Sequence, residues 1–250
     1  ENSFNLGSIV LNNDSLDEVV ISGTLRQVSK LKSTIQVELY TDEFFRATPK
    51  ASFFEAIEGI NGVRPQLNCN ICNTGDIHIN GQEGANTMVL IDGLPLVSGL
   101  SSVYGLSGIP QSLIKQVEVI KGPASTLFGS EAIGGVINLI TKLPENVHPF
   151  SIESFTTSWG ELNIDLGSKY KLNNASGLIG VNYFNYSNPI DKNGDGFTDM
   201  TLQHRVSVFN KVKTKKTSLA FRYFYENRWG GETNWNSSYR GGNEVYGESI

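Results

Sequence analysis

Imidazoles, thiols and positive charge are all in short supply in this 250-residue chain, which has three His, two Cys, and 20 Lys and Arg against 25 Asp and Glu. His78, His148 and His204 lie near no candidate nucleophile in the sequence, and no Ser-His-Asp or Cys-His set presents itself, so we expect no enzyme. A net charge of -5 and a pI near 5.3 argue against the basic face that nucleic-acid binding needs. No run of about 18 apolar residues occurs, which excludes a transmembrane helix; a β-barrel strand needs only about ten residues and can alternate apolar with polar. A glycine-rich loop of nucleotide-binding spacing is missing too. What is plentiful is glycine, with 26 residues, and aromatic side chains at 10%, while only 18% of residues are charged. That balance fits a strand-and-turn protein of one or two domains. The chain opens at Glu1 without a charged and apolar leader, and we expect it to be a piece of something longer rather than a processed chain.

Along the chain, Asp17 to Thr24 (DEVVISGT) is a short β-branched run, suited either to strand addition onto a partner's sheet edge or to an ordinary edge strand. Ile35 to Leu39 reads as a strand. Ser52 to Gly59 reads as a short helix, because Ser52 and Glu55 have capping-box spacing and Gly59 supplies the stop. Strands are expected at Asp76 to Asn80, Thr87 to Ile91, Gln116 to Lys121 and Val136 to Thr141, with Pro110 opening a short helical turn. After Pro149 the period becomes two. Leu162, Ile164 and Leu166 alternate with Asn163, Asp165 and Gly167; Val206, Val208 and Val212 oppose Arg205, Ser207 and Lys211; and Phe221, Tyr223 and Tyr225 oppose Arg222 and Glu226, with Phe224 the exception. About five such strands would suit a barrel with lipid outside and water inside, or a soluble sandwich with a half-exposed sheet.

Two constellations could carry chemistry. Cys69 and Cys72 sit in a polar loop and could form a disulfide in an oxidising setting or contribute to a soft-metal site needing further ligands. Asp191, Asn193, Asp195, Gly196, Phe197 and Asp199 match the first nine positions of a calcium loop, with the Phe197 carbonyl facing the ion. Leu202 stands where a bidentate glutamate would complete it, and an Asp-Gly hairpin turn uses the same residue types. Calcium is the only cofactor we expect.

Four pieces then occur in order: LIDG at Leu90 to Gly93, VEVIKGP at Val117 to Pro123, LFGS at Leu127 to Ser130, and GGVINLITK at Gly134 to Lys142. Together they resemble the plug domain of TonB-dependent outer-membrane receptors, a resemblance covering Asp17 to Lys142 by motif. It implies an α+β plug followed by antiparallel transmembrane β-barrel strands, the start of a barrel of about 22. Residues 1–16 would end a preceding β-sandwich extension of the kind found in Bacteroidetes-like bacteria. Residues 17–24 would be the TonB box, 25–146 the plug, and 147–250 the first barrel strands.

The resemblance further implies that Asp17, Glu18, Val19, Val20, Ile21 and Ser22 bind TonB. Lys121 would lock the plug to barrel carboxylates, or be a solvated strand-end charge; Asn80 stands where a second basic residue is common. Plug loops Gln66 to Thr74 and Leu96 to Gly105 would meet the solute through Asn70, Asn73 and Tyr104. The cobalamin receptor of the superfamily orders a comparable barrel loop with calcium. The implied activity is TonB-powered import of a scarce metal chelate (ferric siderophore, haem or cobalamin) across the bacterial outer membrane, with TonB, lipid and the chelate as partners. The rival within the superfamily is a glycan or peptide importer working with a surface lipoprotein. Such members tend to have a lysine-aspartate pair where this chain has Lys121-Gly122-Pro123. A soluble calcium-binding β-rich adhesion module would explain the alternation but not the plug pieces.

Overall fold

The structure, a computed structural model, describes residues 19–20, 28–29, 33, 35–69, 74–96, 101–233 and 245–249. The expected extension, Asp17, Glu18, Ile21 and Ser22 of the box, and Asn70, Cys72 and Asn73 lie outside the described residues.

In chain order the first part holds β1 (Val19–Val20), β2 (Val28–Ser29), β3 (Glu38–Thr41), α1 (Asp42–Arg46), α2 (Phe53–Ala56), β4 (Val63–Cys69), β5 (Thr74–Ile79), β6 (Thr87–Ile91), β7 (Leu94–Pro95), α3 (Ser101–Ser107), β8 (Ile114–Lys121), α4 (Ser125–Phe128) and β9 (Gly135–Thr141). Five of these strands make one mixed sheet in the order β3-β8-β9-β6-β7, with β6 and β9 parallel. Its central strand β9, GVINLIT, is buried at every position, as expected of a strand covered on both faces. One apolar layer gathers Phe53, Ile57, Ile79, Leu113 and Val117; the other holds Val20, Val37, Leu90, Ile120 and Val136. Helix α2 starts where the sequence predicts, the Ser52 hydroxyl accepting the Glu55 amide at 3.2 Å. Pro110, by contrast, precedes the short 3-10 turn Gln111–Leu113 instead of opening it.

The second part is a six-stranded antiparallel meander: β10 (Phe150–Thr156), β11 (Leu162–Leu172), β12 (Ala175–Tyr186), β13 (Leu202–Thr214), β14 (Ser218–Gly231) and β15 (Val245–Ser249). Its polarity is inside out. The face turned to the first part buries Asn163, Asp165, Asn182, Arg205, Lys211 and Glu226, while Phe150, Ile152, Leu219, Phe221 and Tyr223 on the other face are 50–70% exposed. A soluble sandwich would bury the apolar face; a lipid-facing wall around a polar interior does this instead. Phe224 breaks the alternation because its ring meets Tyr104 of α3 edge to face, with centroids 5.6 Å apart. One end of the sheet turns tightly, over 173–174 and 215–217, and the other carries the longer connections 157–161 and 187–201. In outer-membrane barrels the tight turns are the periplasmic ones.

Candidate functional site: the seam between core and wall

Strand β6 ends in the LIDG turn, where Asp92 adopts a left-handed φ of 51° and Gly93 one of 83°. The Asp92 carboxylate accepts the Thr141 amide at 2.9 Å and the Thr141 hydroxyl at 2.8 Å, tying the end of β9 to the turn. Lys211, whose side chain is only 8% exposed, crosses from β13 to the same carboxylate at 2.8 Å. Near it the Arg222 guanidinium of β14 donates to the Gly105 carbonyl at 2.7 Å, and Arg205 of β13 donates to the Ala51 carbonyl. Leu113 packs into the space left by Gly180 on β12, where any Cβ would collide with it. Arg46 of α1 reaches Glu153 of β10 at 2.8 Å. These contacts seat the mixed sheet against the inner face of the wall.

Lys121, expected to make such a bond, makes another among the described residues. It ends β8 beside the edge strand β3 and pairs at 2.6 Å with Glu38, inside the core domain. The Tyr40 hydroxyl also donates to Glu38, at 2.7 Å, and burial first, then that hydrogen bond and charge, push the phenol up to about 12. The bonds to the wall instead come chiefly from barrel cations meeting a carboxylate and carbonyls of the core. Asn80 takes a left-handed φ of 51° and its amide donates to the Gly62 carbonyl at 2.8 Å, so this position serves a turn.

Of the expected box, Val19 and Val20 are seen. They form β1, paired antiparallel with β2, and Val20 is fully buried in the second apolar layer. Gln116 of β8 donates to the Val19 carbonyl at 3.0 Å. Tyr104 lies on α3 against Phe224. Loop 191–199 is wound on its own backbone: Asp191 accepts the amides of Gly194 and Gly196 at 2.7 and 2.8 Å, and Asp195 accepts that of Phe197 at 2.8 Å. Among the described residues no three His, Cys, Asp or Glu side chains converge as a metal cluster.

Comparison with known proteins names the arrangement. The profile of the TonB-dependent Receptor Plug Domain matches residues 29–136. Residues 29–136 thus match a TonB-dependent receptor plug. Over 154 residues the chain is 35% identical to the ferric enterobactin receptor PirA of Pseudomonas aeruginosa, covering 56% of this chain and 20% of that protein. Over 142 residues it is 30% identical to the "Probable TonB-dependent siderophore receptor PirA" of Acinetobacter baumannii, covering 51% and 19%. The chain therefore spans about a fifth of the length of these curated relatives.

Among solved structures, a mutant of the P. aeruginosa ferric enterobactin receptor PfeA in complex with enterobactin shares 20% identity at a TM-score of 0.59, over 81% of this chain and 35% of that one. P. aeruginosa FpvA, bound to heterologous pyoverdines, shares 16% at 0.64, over 85% and 28%. At those identities the likeness concerns the fold: a plug lodged against barrel strands. The protein is an outer-membrane protein, and the exposed apolar face of β10 to β14 has the character of a barrel's lipid side.

The sequence did not point to Asp92, Lys211, Gln116, Arg205 or Arg222. The Asp-Gly step and the inward parity of Lys211 were the available signals.

Proposed function

We propose that this chain supplies the plug and part of the barrel wall of an importer that carries a ferric siderophore across the outer membrane, driven by TonB. The observation that carries this reading is the seam itself: a plug bonded through Asp92, Thr141 and Gly105 to the polar face of a sheet whose opposite face is apolar and exposed. A filled lumen admits no passive flow, so a solute must bind tightly and work must move the plug. Among the relatives, two are named as siderophore receptors, which favours a siderophore over haem or cobalamin and gives no support to a glycan importer. Those relatives are receptors, in keeping with a transport role rather than catalysis. TonB would engage residues 17–22 by strand addition, which requires Val19–Val20 to leave their pairing with β2.

The test is uptake by a receptor-deletion strain carrying the full-length gene, supplied in turn with ferric enterobactin, a ferric hydroxamate, haem and cobalamin, with and without functional TonB. Ferric siderophore uptake that vanishes without TonB is expected. Uptake confined to haem or cobalamin would sink the siderophore assignment, and uptake indifferent to TonB would sink the coupling.

A further inference from the structure

The protein is acidic overall, with a net charge of -5, yet cations gather at the tight-turn end of the wall. Strand alternation turns Phe209, Lys211 and Lys213 of β13 toward the plug, and the run KVKTKKT continues through Lys215 and Lys216 in the turn to β14. Between plug and wall lies a cleft of about 650 Å³, with an apolar side that includes Leu94 and Pro95, and with Lys115 of β8 and Lys213 bordering it. A second cleft, of about 790 Å³, lies among the two tight turns and Glu145, and is lined by Lys171, Lys213, Lys215 and Lys216. Lys213 borders both, so the clefts adjoin.

Lys211 is committed to Asp92 and Arg222 to a plug carbonyl. Among the described residues, Lys115, Lys171, Lys213, Lys215 and Lys216 have no carboxylate within ion-pair distance. Glu145, the one acid bordering the second cleft, bonds to Ser176 at 3.2 Å. Its carboxyl is held below the usual range by a backbone hydrogen bond first, and then by Lys213, Ser176 and Lys211. The positive field therefore reaches across the cleft. Five amines with no counter-charge among the described residues repel one another; a walled cleft of one sign concentrates mobile ions of the other.

We propose that Lys115, Lys213, Lys171, Lys215 and Lys216 form an anion track, which takes a negatively charged chelate from the level of Asp92 down the lumen face of β13 to the periplasmic mouth. Leu94 and Pro95, both exposed at the cleft, give the organic shell of the chelate an apolar surface to slide on. Because each amine is partly hydrated, contact at any one is weak and the cargo is released at the mouth. The proposal rests on the transport reading above, whose failure must be told apart from its own.

Two measurements on the full-length receptor do this. In cells, a Lys115→Glu/Lys213→Glu variant should bind ferric enterobactin at the surface like the parent but import it about tenfold more slowly, while Lys115→Arg/Lys213→Arg imports normally. Import by the Glu variant at the parental rate overturns the track. Independently of any cargo, a Ser176→Cys thiol in a cysteine-free background should react with a sulfonate-bearing thiosulfonate about tenfold faster, relative to a trimethylammonium-bearing one, than a free thiol does. Lys171→Gln/Lys213→Gln should abolish that preference. A thiol with no preference for the anion overturns the track even where transport is observed. Preference retained in a receptor that imports no siderophore upholds the track and sinks the siderophore reading instead.

Discussion

At the residue scale the side chain with the most obligations is that of Asp92. It holds a left-handed turn, closes the end of β9 through Thr141, and is the counter-charge of a nearly buried lysine from the wall. Asn tolerates the same backbone conformation and keeps an acceptor oxygen, whereas Ala removes the counter-charge and leaves Lys211 only the neutral Thr141 hydroxyl, at 2.8 Å. We expect Asp92→Ala to lower plug stability by about 3 kcal/mol, the cost of leaving a mostly buried charge unpaired. Asp92→Asn should cost clearly less. Calorimetric unfolding of the purified receptor checks both, and an Ala variant melting with the parent would mean that Lys211 finds another acceptor. The turn at Asp92 was legible in the LIDG motif, but its partners were not. Thr141 lies 49 residues away and Lys211 119, and only the strand register brings them together. The same holds for Lys121, whose charge was visible while the choice of Glu38 depended on which strand β8 has beside it.

At the scale of elements, β1 is the segment whose proposed work and observed position conflict. Strand addition to TonB needs a free main chain, yet Val20 is buried and the Val19 carbonyl is occupied by Gln116. A Val20→Pro receptor, lacking one strand donor, should bind its solute and fail to import it; uptake at the parental rate would remove the box assignment. Loop 191–199 poses a different question, since its carboxylates already accept backbone amides. If calcium also binds there, solute affinity should rise with calcium in the range of about 10⁻⁴ to 10⁻³ M. Asp195→Ala should then fold normally and lose that dependence. A parent protein indifferent to calcium reduces the loop to a hairpin turn.

The strands with clean periodicity, such as β11 and β13, were readable in advance. Strand β4 was not, because Pro65 argues against a strand and is tolerated in its two-stranded hairpin. Strand β12 lost its alternation because Leu178, Phe184 and Tyr186 on its inner face are buried, so both of its faces look apolar. Helix α3, SSVYGLS, has weak helix formers and is fixed by packing, with Leu106 fully buried.

For the whole molecule, the fit of plug to wall is a matter of volume as much as charge. Gly180→Val would drive a branched side chain into Leu113 and Pro110. The overpacking, about 1–3 kcal/mol, can be relieved by pushing the plug off its seat. Such cells should admit a large hydrophilic antibiotic that the parent excludes, while the barrel keeps its heat resistance; unchanged exclusion would show that the seat has slack. The order of strands also bears on how the chain reaches this state. In the wall, every strand pairs with its neighbour in sequence, and tight turns close β11 to β12 and β13 to β14, so contacts are local and quick to form. In the plug, β3 pairs with β8, and the middle place of the sheet belongs to β9, the last of its strands to be synthesised. Until β9 arrives, β6 and β8 offer bare apolar edges. A chain threaded into the periplasm amino end first thus spends its slowest folding step aggregation-prone, and those two edges are where a holding chaperone would grip it.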